Sequence, residues 1–179
     1  MIDDVEFSDL ILICDVHEQA NVPGKPRVKR LVDWFKARGG SVIHRELFRC
    51  DYHIGGGYDE ESKIFLPGTF RGKEINLGIE YKTFTDFNSS KEDLAWKLFE
   101  AGKLYSEVAL FVQENNYGLS YSEHGTFIKI PQVPDGSADI TNYYNYKNTL
   151  DRFSTGNIHV RTFQHETFFE EDMYSLLIF

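Results

Sequence analysis

Glu80-Tyr81-Lys82 sets a carboxylate and an ammonium two residues apart inside the run 75–82, INLGIEYK. On an extended strand, residues i and i+2 point to one face, so both groups would project into one site. A carboxylate from a neighbouring strand would then complete a place for Mg²⁺, which takes oxygen ligands and keeps several of its waters. One such water can attack a phosphodiester in line. The lysine can orient that water or stabilise the charge that develops on phosphate. Asp51, which opens the run 51–54 (DYHI), is the natural second carboxylate, and Asp15, at the end of the run 9–16 (DLILICDV), is a third. The competing assignment for Glu80 and Lys82 is an ion pair on a surface strand. A second Glu-x-Lys, Glu61 to Lys63, falls in a stretch that reads as a loop.

The order of these groups along the chain narrows the choice. Asp15-Val16-His17-Glu18 follows a buried strand, and a basic helix and Gly39-Gly40 come next. Asp51-Tyr52-His53-Ile54 lies after a further strand. Then come Ile79-Glu80-Tyr81-Lys82-Thr83 and Asp86-Phe87, with Ser89-Ser90 opening a helix. From about Ile11 to Val112 this pattern resembles the nuclease domain of the XPF-type structure-specific endonucleases, a branch of the PD-(D/E)XK superfamily. That family carries V-D-x-R-E, then G-D-Y-x-I, then I-E-R-K-x-x-x-D-[FL]. A weaker echo runs from His159-Val160 through Glu166-Thr167.

The resemblance implies an α/β, restriction-endonuclease-like core: a central mixed β-sheet flanked by helices. It implies a metal-dependent DNA endonuclease acting on branched or flapped DNA, with Mg²⁺ or Mn²⁺ as cofactor. Carried over by position, Asp51 and Glu80 are metal ligands, Lys82 is the catalytic lysine and Asp86 supports the site. Asp15 and Glu18 match the two acids of the first motif, Asp15 completing the carboxylate cluster. Three departures stand out: Cys50 in place of glycine, and His17 and Tyr81 in place of two arginines. His17 can replace a cation only when protonated, and Tyr81 cannot replace charge at all. Nothing resembles the family's helix-hairpin-helix module, so a homodimer or a heteromeric partner is expected to supply DNA affinity. Two alternatives stand beside the endonuclease. One is a non-catalytic DNA-binding or scaffolding subunit with the same fold. The other is a junction-resolvase or restriction-like nuclease of the same superfamily.

The elements that must hold these residues follow from periodicity. The run 9–16 reads as a buried strand. Val28, Leu31, Val32 and Phe35 fall at i, i+3, i+4 and i+7, between Pro26 and Gly39-Gly40, which marks an amphipathic helix. Residues 41–48 and 51–54 read as strands, 55–73 as a loop or hairpin connection, and 75–82 as a strand. Ser89-x-x-Glu92 is a capping-box pattern, and Leu94, Leu98, Ala101 and Tyr105 continue it as a helix. Residues 107–113 and 158–163 read as strands and 166–179 as a helix. Between them, 114–139 hold two β-like runs (YGLSY, TFIKI) around Glu123-His124-Gly125, then a Pro-Asp-Gly turn, and 140–154 are expected to be helical. Residues 114–157 have no counterpart in the resemblance, so a single domain over 1–179 with an insertion at 114–157 is expected.

Composition bounds the rest. The 179 residues suit one domain and can bury a core without staples. Only two cysteines occur, Cys14 and Cys50, so a disulfide scaffold is excluded; both are expected as small core residues. The N-terminal stretch is acidic and no apolar run reaches membrane-spanning length. A cytoplasmic or nuclear protein, not secreted and not membrane-bound, is the expectation. Net charge is −9, against indiscriminate nucleic-acid binding. Yet eight basic residues between Gly24 and Arg49 face only Asp33 and Glu46. On that helix Arg27, Trp34 and Arg38 share a flank, with Arg30 near it. They read either as a phosphate-tracking DNA-binding surface or as a packed tryptophan with solvated arginines. His44 and His53, expected on neighbouring strands, read as ordinary sheet histidines or as groups behind the site. Tyr143, Tyr144 and Tyr146 fit base stacking or a buried patch equally.

Overall fold

The computed structural model describes residues 6–17, 26–114, 117–121, 127–131 and 140–179, with backbone alone at 26, 117–121, 127–131 and 140–143. In chain order the elements are β1 (Ile11–Asp15), α1 (Pro26–Ala37), β2 (Ser41–Arg45) and β3 (Tyr52–Gly55). Four short strands follow: β4 (Tyr58–Asp59), β5 (Ile64–Phe65), β6 (Gly68–Phe70) and β7 (Lys73–Ile75). Then come β8 (Leu77–Thr83), α2 (Phe84–Leu104), β9 (Glu107–Gln113), β10 (Tyr117–Tyr121), β11 (Phe127–Pro131), α3 (Ile140–Phe153), β12 (Ile158–Phe163), a 3₁₀ turn (Glu166–Phe168) and α4 (Phe169–Ile178).

Six strands form the central sheet in the order β12-β9-β8-β3-β1-β2. Strand β3 runs antiparallel to both of its neighbours, β1 and β8, while the remaining pairs are parallel. This is the mixed α/β sheet flanked by helices that the sequence leads one to expect. Alternation along the strands divides the core in two. Leu12, Cys14, Tyr52, Ile54, Ile79, Tyr81 and Phe111 pack with Leu31 and Phe35 of α1 and Phe169 and Met173 of α4. Ile13, Val108, Leu110 and Val112 pack with Leu94 and Leu98 of α2 and Tyr146, Leu150 and Phe153 of α3. Strand β9 is covered on both faces, which is why its sequence is a continuous apolar run rather than an alternating one.

Of the two alternatives for residues 55–73, the hairpin connection is the one that forms, as the two-stranded pairs β4–β5 and β6–β7. Two local expectations change. Helix α2 starts at Phe84, ahead of the Ser89-x-x-Glu92 pattern, because Thr83 caps it with Oγ1 accepting from the Asp86 N–H at 3.2 Å. The serines instead mark a kink, with Ser90 at φ −128°, ψ 16°. His44 and His53 are not on neighbouring strands, since β1 runs between β2 and β3. The runs YGLSY and TFIKI form the antiparallel pair β10–β11. Glu123, His124, Gly125 and the Pro-Asp-Gly turn lie outside the described residues. Among those described, no helix is long and apolar enough to cross a membrane.

His53 is fully buried between the rings of Phe65 and Tyr105. Its Nε2 lies 2.8 Å from Asn76 Oδ1, while Nδ1 has no hydrogen-bond partner. A neutral ring donating from Nε2 satisfies this arrangement. Burial pushes the imidazole pKa down to about 4, only partly offset by Asn76. The unfolded chain therefore takes up a proton at His53 near pH 6.5 that the folded chain refuses until about pH 4. Its stabilising contribution is complete above pH 6.5 and is lost as pH falls through that window. Urea denaturation is expected to show about 2 kcal/mol less stability from this residue at pH 5 than at pH 7. In His53→Gln that component of the pH dependence is expected to vanish.

Candidate functional site

The antiparallel insertion of β3 brings its start level with the ends of β1 and the middle of β8. Cys14 pairs with Tyr52, and Tyr52 with Ile79. One residue further along, Asp15, Asp51 and Glu80 stand abreast. The Asp15 N–H donates to Asp51 O and the Asp51 N–H to Ile79 O, each at 2.9 Å. Residues abreast on adjacent strands share a face, and this face is the one covered by α2. Asp51 Oδ2 accepts the Tyr81 N–H at 2.8 Å, locking it to β8. Asp15 Oδ1 accepts the Leu47 N–H at 3.0 Å, and His17 Nδ1 lies 3.3 Å from Asp15 Oδ2.

Glu80 is fully buried. Its Oε1 receives two ammonium groups: Lys82 at 3.3 Å from the same strand, as the i, i+2 spacing requires, and Lys97 at 2.6 Å from α2. Its Oε2 is buried with no hydrogen-bond partner. Burial alone would lower the Lys97 ammonium, but Glu80 against it, with Asp51 nearby, holds it above its ordinary value. Cys50 is pushed well up, first by burial and then by the Glu80 and Asp51 carboxylates, so it is a neutral core thiol. Its Sγ would lie 2.9 Å from a Cβ at position 78, so Gly78 is what makes room for it.

Lys97 is the Glu80 partner that the sequence reading did not single out, as it did not single out Trp96 or Arg49 at the cleft. Lys97 had a signal: Leu94, Lys97, Leu98 and Ala101 fall at i, i+3, i+4 and i+7. A single cation inside the buried stripe of an amphipathic helix needs a carboxylate to meet it.

A cleft of about 390 Å³ opens on this face, lined by Arg49, Lys82, Ser90, Asp93, Trp96 and Lys97, with Leu94. Among the described residues no three acidic, histidine or cysteine groups converge into a ready metal cage. The orphaned Glu80 Oε2 is nonetheless a hard oxygen lacking a partner, beside a second carboxylate strand. That fits Mg²⁺, which needs only one or two carboxylates and fills its remaining positions with water.

The other expected residues fall elsewhere. Glu18 lies outside the described residues. Asp86 is exposed in the first turn of α2. Its backbone carbonyl accepts the Ser89 and Ser90 hydroxyls. Tyr81 points to the opposite face of the sheet, with its hydroxyl donating to Gln113. Arg27, Arg30 and Arg38 are on that opposite face as well. Arg27 stacks 3.7 Å from the Tyr81 ring centre, and Arg30 bonds Glu170 at 2.8 Å with Glu166 beside it. Arg38 lies 4.5 Å over Trp34, which packs edge-on against Phe7. The structure therefore does not bring these arginines to Glu80. Tyr146 is buried, its hydroxyl donating to Glu114, while Tyr144 is exposed; the Tyr143 side chain is outside the described residues.

No protein-family profile matches the chain, and no curated protein matches it. Among solved structures, the chain is similar to XPF from Aeropyrum pernix, with 18% identity over 94% of this chain and a TM-score of 0.49. It is also similar to the same protein in complex with DNA, at 19% identity and a TM-score of 0.47. It spans 60% and 63% of the length of those two chains.

Removing Lys97 leaves the buried Glu80 with Lys82 alone, at 3.3 Å. Lys97→Met is expected to cost about 2 kcal/mol in denaturant unfolding at neutral pH without added metal. Adding Glu80→Gln is expected to recover a substantial part of that loss. If the double variant were no more stable than Lys97→Met, the two groups would not be coupled.

Proposed function

We propose that this chain is a metal-dependent endodeoxyribonuclease that hydrolyses phosphodiester bonds in branched or flapped DNA. The observation that carries the proposal is Glu80. A buried carboxylate stands abreast of Asp51, between two lysines, with one oxygen unpartnered, beneath an open cleft. A structural ion pair needs one cation on the surface, not a carboxylate sunk beside a second acid.

Glu80 and Asp51 would hold the cation, with Asp15 at the end of the same row. When bound, a divalent cation supplies Lewis acidity toward a phosphate oxygen and an acidified water. The chain's own groups do the rest. Lys82, 3.3 Å from Glu80 and partly exposed to the cleft, donates to a phosphate oxygen and orients the attacking water. Arg49, at the cleft rim, offers a planar fork to the same phosphodiester. Lys97 neutralises Glu80 when no cation is bound. Self-association through the C-terminal end, where Ile178 and Phe179 are exposed, or a heteromeric partner, belongs to the same proposal as the source of further DNA affinity.

A second reading is a DNA-binding or scaffolding subunit without turnover. What favours it is the 2.6 Å contact of Lys97 with Glu80, which fills one carboxylate oxygen with the protein's own cation.

The deciding test is incubation of labelled splayed-arm, flap, four-way and linear DNA with Mg²⁺ or Mn²⁺. Wild type is expected to cut a branched substrate, and Glu80→Ala to cut at least about a hundredfold more slowly. Cutting retained in Glu80→Ala would remove the site assignment, and folded wild type that binds DNA but never cuts it would establish the scaffolding role. Thermal unfolding gives a readout independent of turnover: Mn²⁺ is expected to raise the midpoint of wild type but not of Glu80→Ala.

A further inference from the structure

We propose that the cleft beside Glu80 holds one unpaired nucleotide of a nucleic-acid strand, its base stacked on Trp96 and its phosphate on Arg49 and Lys82. This rests on the nuclease reading above and specifies its substrate.

Most of the described aromatic side chains are buried, but Trp96 and Phe99 are 59% and 53% exposed on the outer side of α2. Their ring centres are 5.7 Å apart with the planes 33° from parallel. Lys103 Nζ sits 4.4 Å from the Phe99 ring centre, so Phe99 already has a ring and a cation against it. Trp96 shares that ring contact, stays 59% exposed and lines the cleft.

The surface of the cleft around it is lined mainly by cations, with Lys82 and Lys97 also paired to Glu80 beneath. Three cations, Arg49, Lys82 and Lys97, and one acid, Asp93, line it, in a chain whose net charge is −9. Arg49 is one of only three non-glycine residues with positive φ among those described, at 63°. That conformation costs free energy in an arginine, and such strain concentrates at binding sites. An apolar protein partner seated on Trp96 would bury the Arg49 guanidinium with no anion supplied to it. A nucleotide offers a π-face to the indole and an anion to the cations.

The base must be unpaired. Inside a duplex, base faces are covered by their neighbours, whereas single strands offer them to aromatic platforms. The nuclease would therefore prefer a cleavage position flanked by an unpaired nucleotide, with Trp96 as a specificity residue and not a catalytic one.

Trp34→Phe leaves Trp96 as the only tryptophan. In that background, oligothymidine added in EDTA is expected to quench the indole emission. Fluorescence anisotropy of labelled oligothymidine and of a blunt duplex then gives both affinities. Trp96→Ala is expected to weaken single-strand binding roughly 5- to 150-fold. It should also lower the single-strand-over-duplex ratio, and Trp96→Phe should keep most of both. Unchanged emission at saturating oligothymidine, an unchanged ratio in Trp96→Ala, or no oligothymidine binding at all would each overturn the proposal. Cleavage by wild type and Glu80→Ala, scored in parallel, keeps the two readings apart. Metal-dependent cutting with an unresponsive Trp96 removes only the stacking site. A responsive Trp96 without cutting removes the nuclease and leaves a single-strand-binding cleft.

Discussion

A carboxylate cannot be buried alone. Taking one out of water costs several kcal/mol even after the surroundings relax, and Glu80 has no exposed surface. Much of the α2 side of the sheet follows from that constraint. Lys82 must occupy the same face two residues on. Helix α2 must run back across β8 so that Lys97 can reach the same oxygen. It can do so because Thr83 ends the strand and caps the helix, leaving no loop between them. Gly78 keeps the sheet low enough for Cys50 and Tyr105 to pack beneath the same helix.

The two faces of the sheet handle charge differently. On the α2 side, acids gather in one row at the end of β1, just before β3 and on β8; two lysines answer Glu80, and backbone N–H groups answer Asp15 and Asp51. On the α1 side, arginines act as packing material. Arg27 lies flat on Tyr81, Arg30 clamps α1 to the start of α4 through Glu166 and Glu170, and Arg38 covers Trp34. Guanidinium groups suit this because they stack on rings and fork to carboxylates. The tyrosine at position 81, where the resembling family has arginine, belongs to this second system. Period-two alternation sends it away from Glu80, and its hydroxyl is spent on Gln113.

What could be read from the sequence was whatever depends on local period. The strands at 107–113 and 158–163 match to the residue, the first as an apolar run, VALFV, between polar ends, the second as the apolar–polar alternation Ile158-His159-Val160-Arg161. Glu80 and Lys82 meet because strand geometry alone brings i and i+2 together. What could not be read was pairing across space. The order of strands separated His44 from His53. The basic helix read equally as a DNA surface or as packing, and local pattern could not choose, since the partners of Arg30, Glu166 and Glu170, lie more than a hundred residues away. Ser89-x-x-Glu92 looks like a helix start, and only the folded chain shows that Thr83 caps the helix and that the serines bend it. Lys97 needed a helix-face argument and a buried-charge argument together.

The bend at Ser90 gives α2 a pivot. The Ser89 and Ser90 hydroxyls both turn back to the Asp86 carbonyl, 3.2 and 2.5 Å away, a substitution of side chain for backbone bonding that loosens a helix at that point. Lys97 sits seven residues beyond, about 10 Å along the axis. A tilt of about 10° at the pivot would therefore displace it by about 2 Å, enough to part a 2.6 Å ion pair. Trp96 rides on the same arm. The segment before the bend is tied to β8 through its cap and would not share such a tilt. Charge at Glu80 and the position of the exposed indole are thus mechanically ganged, as two points on one short lever.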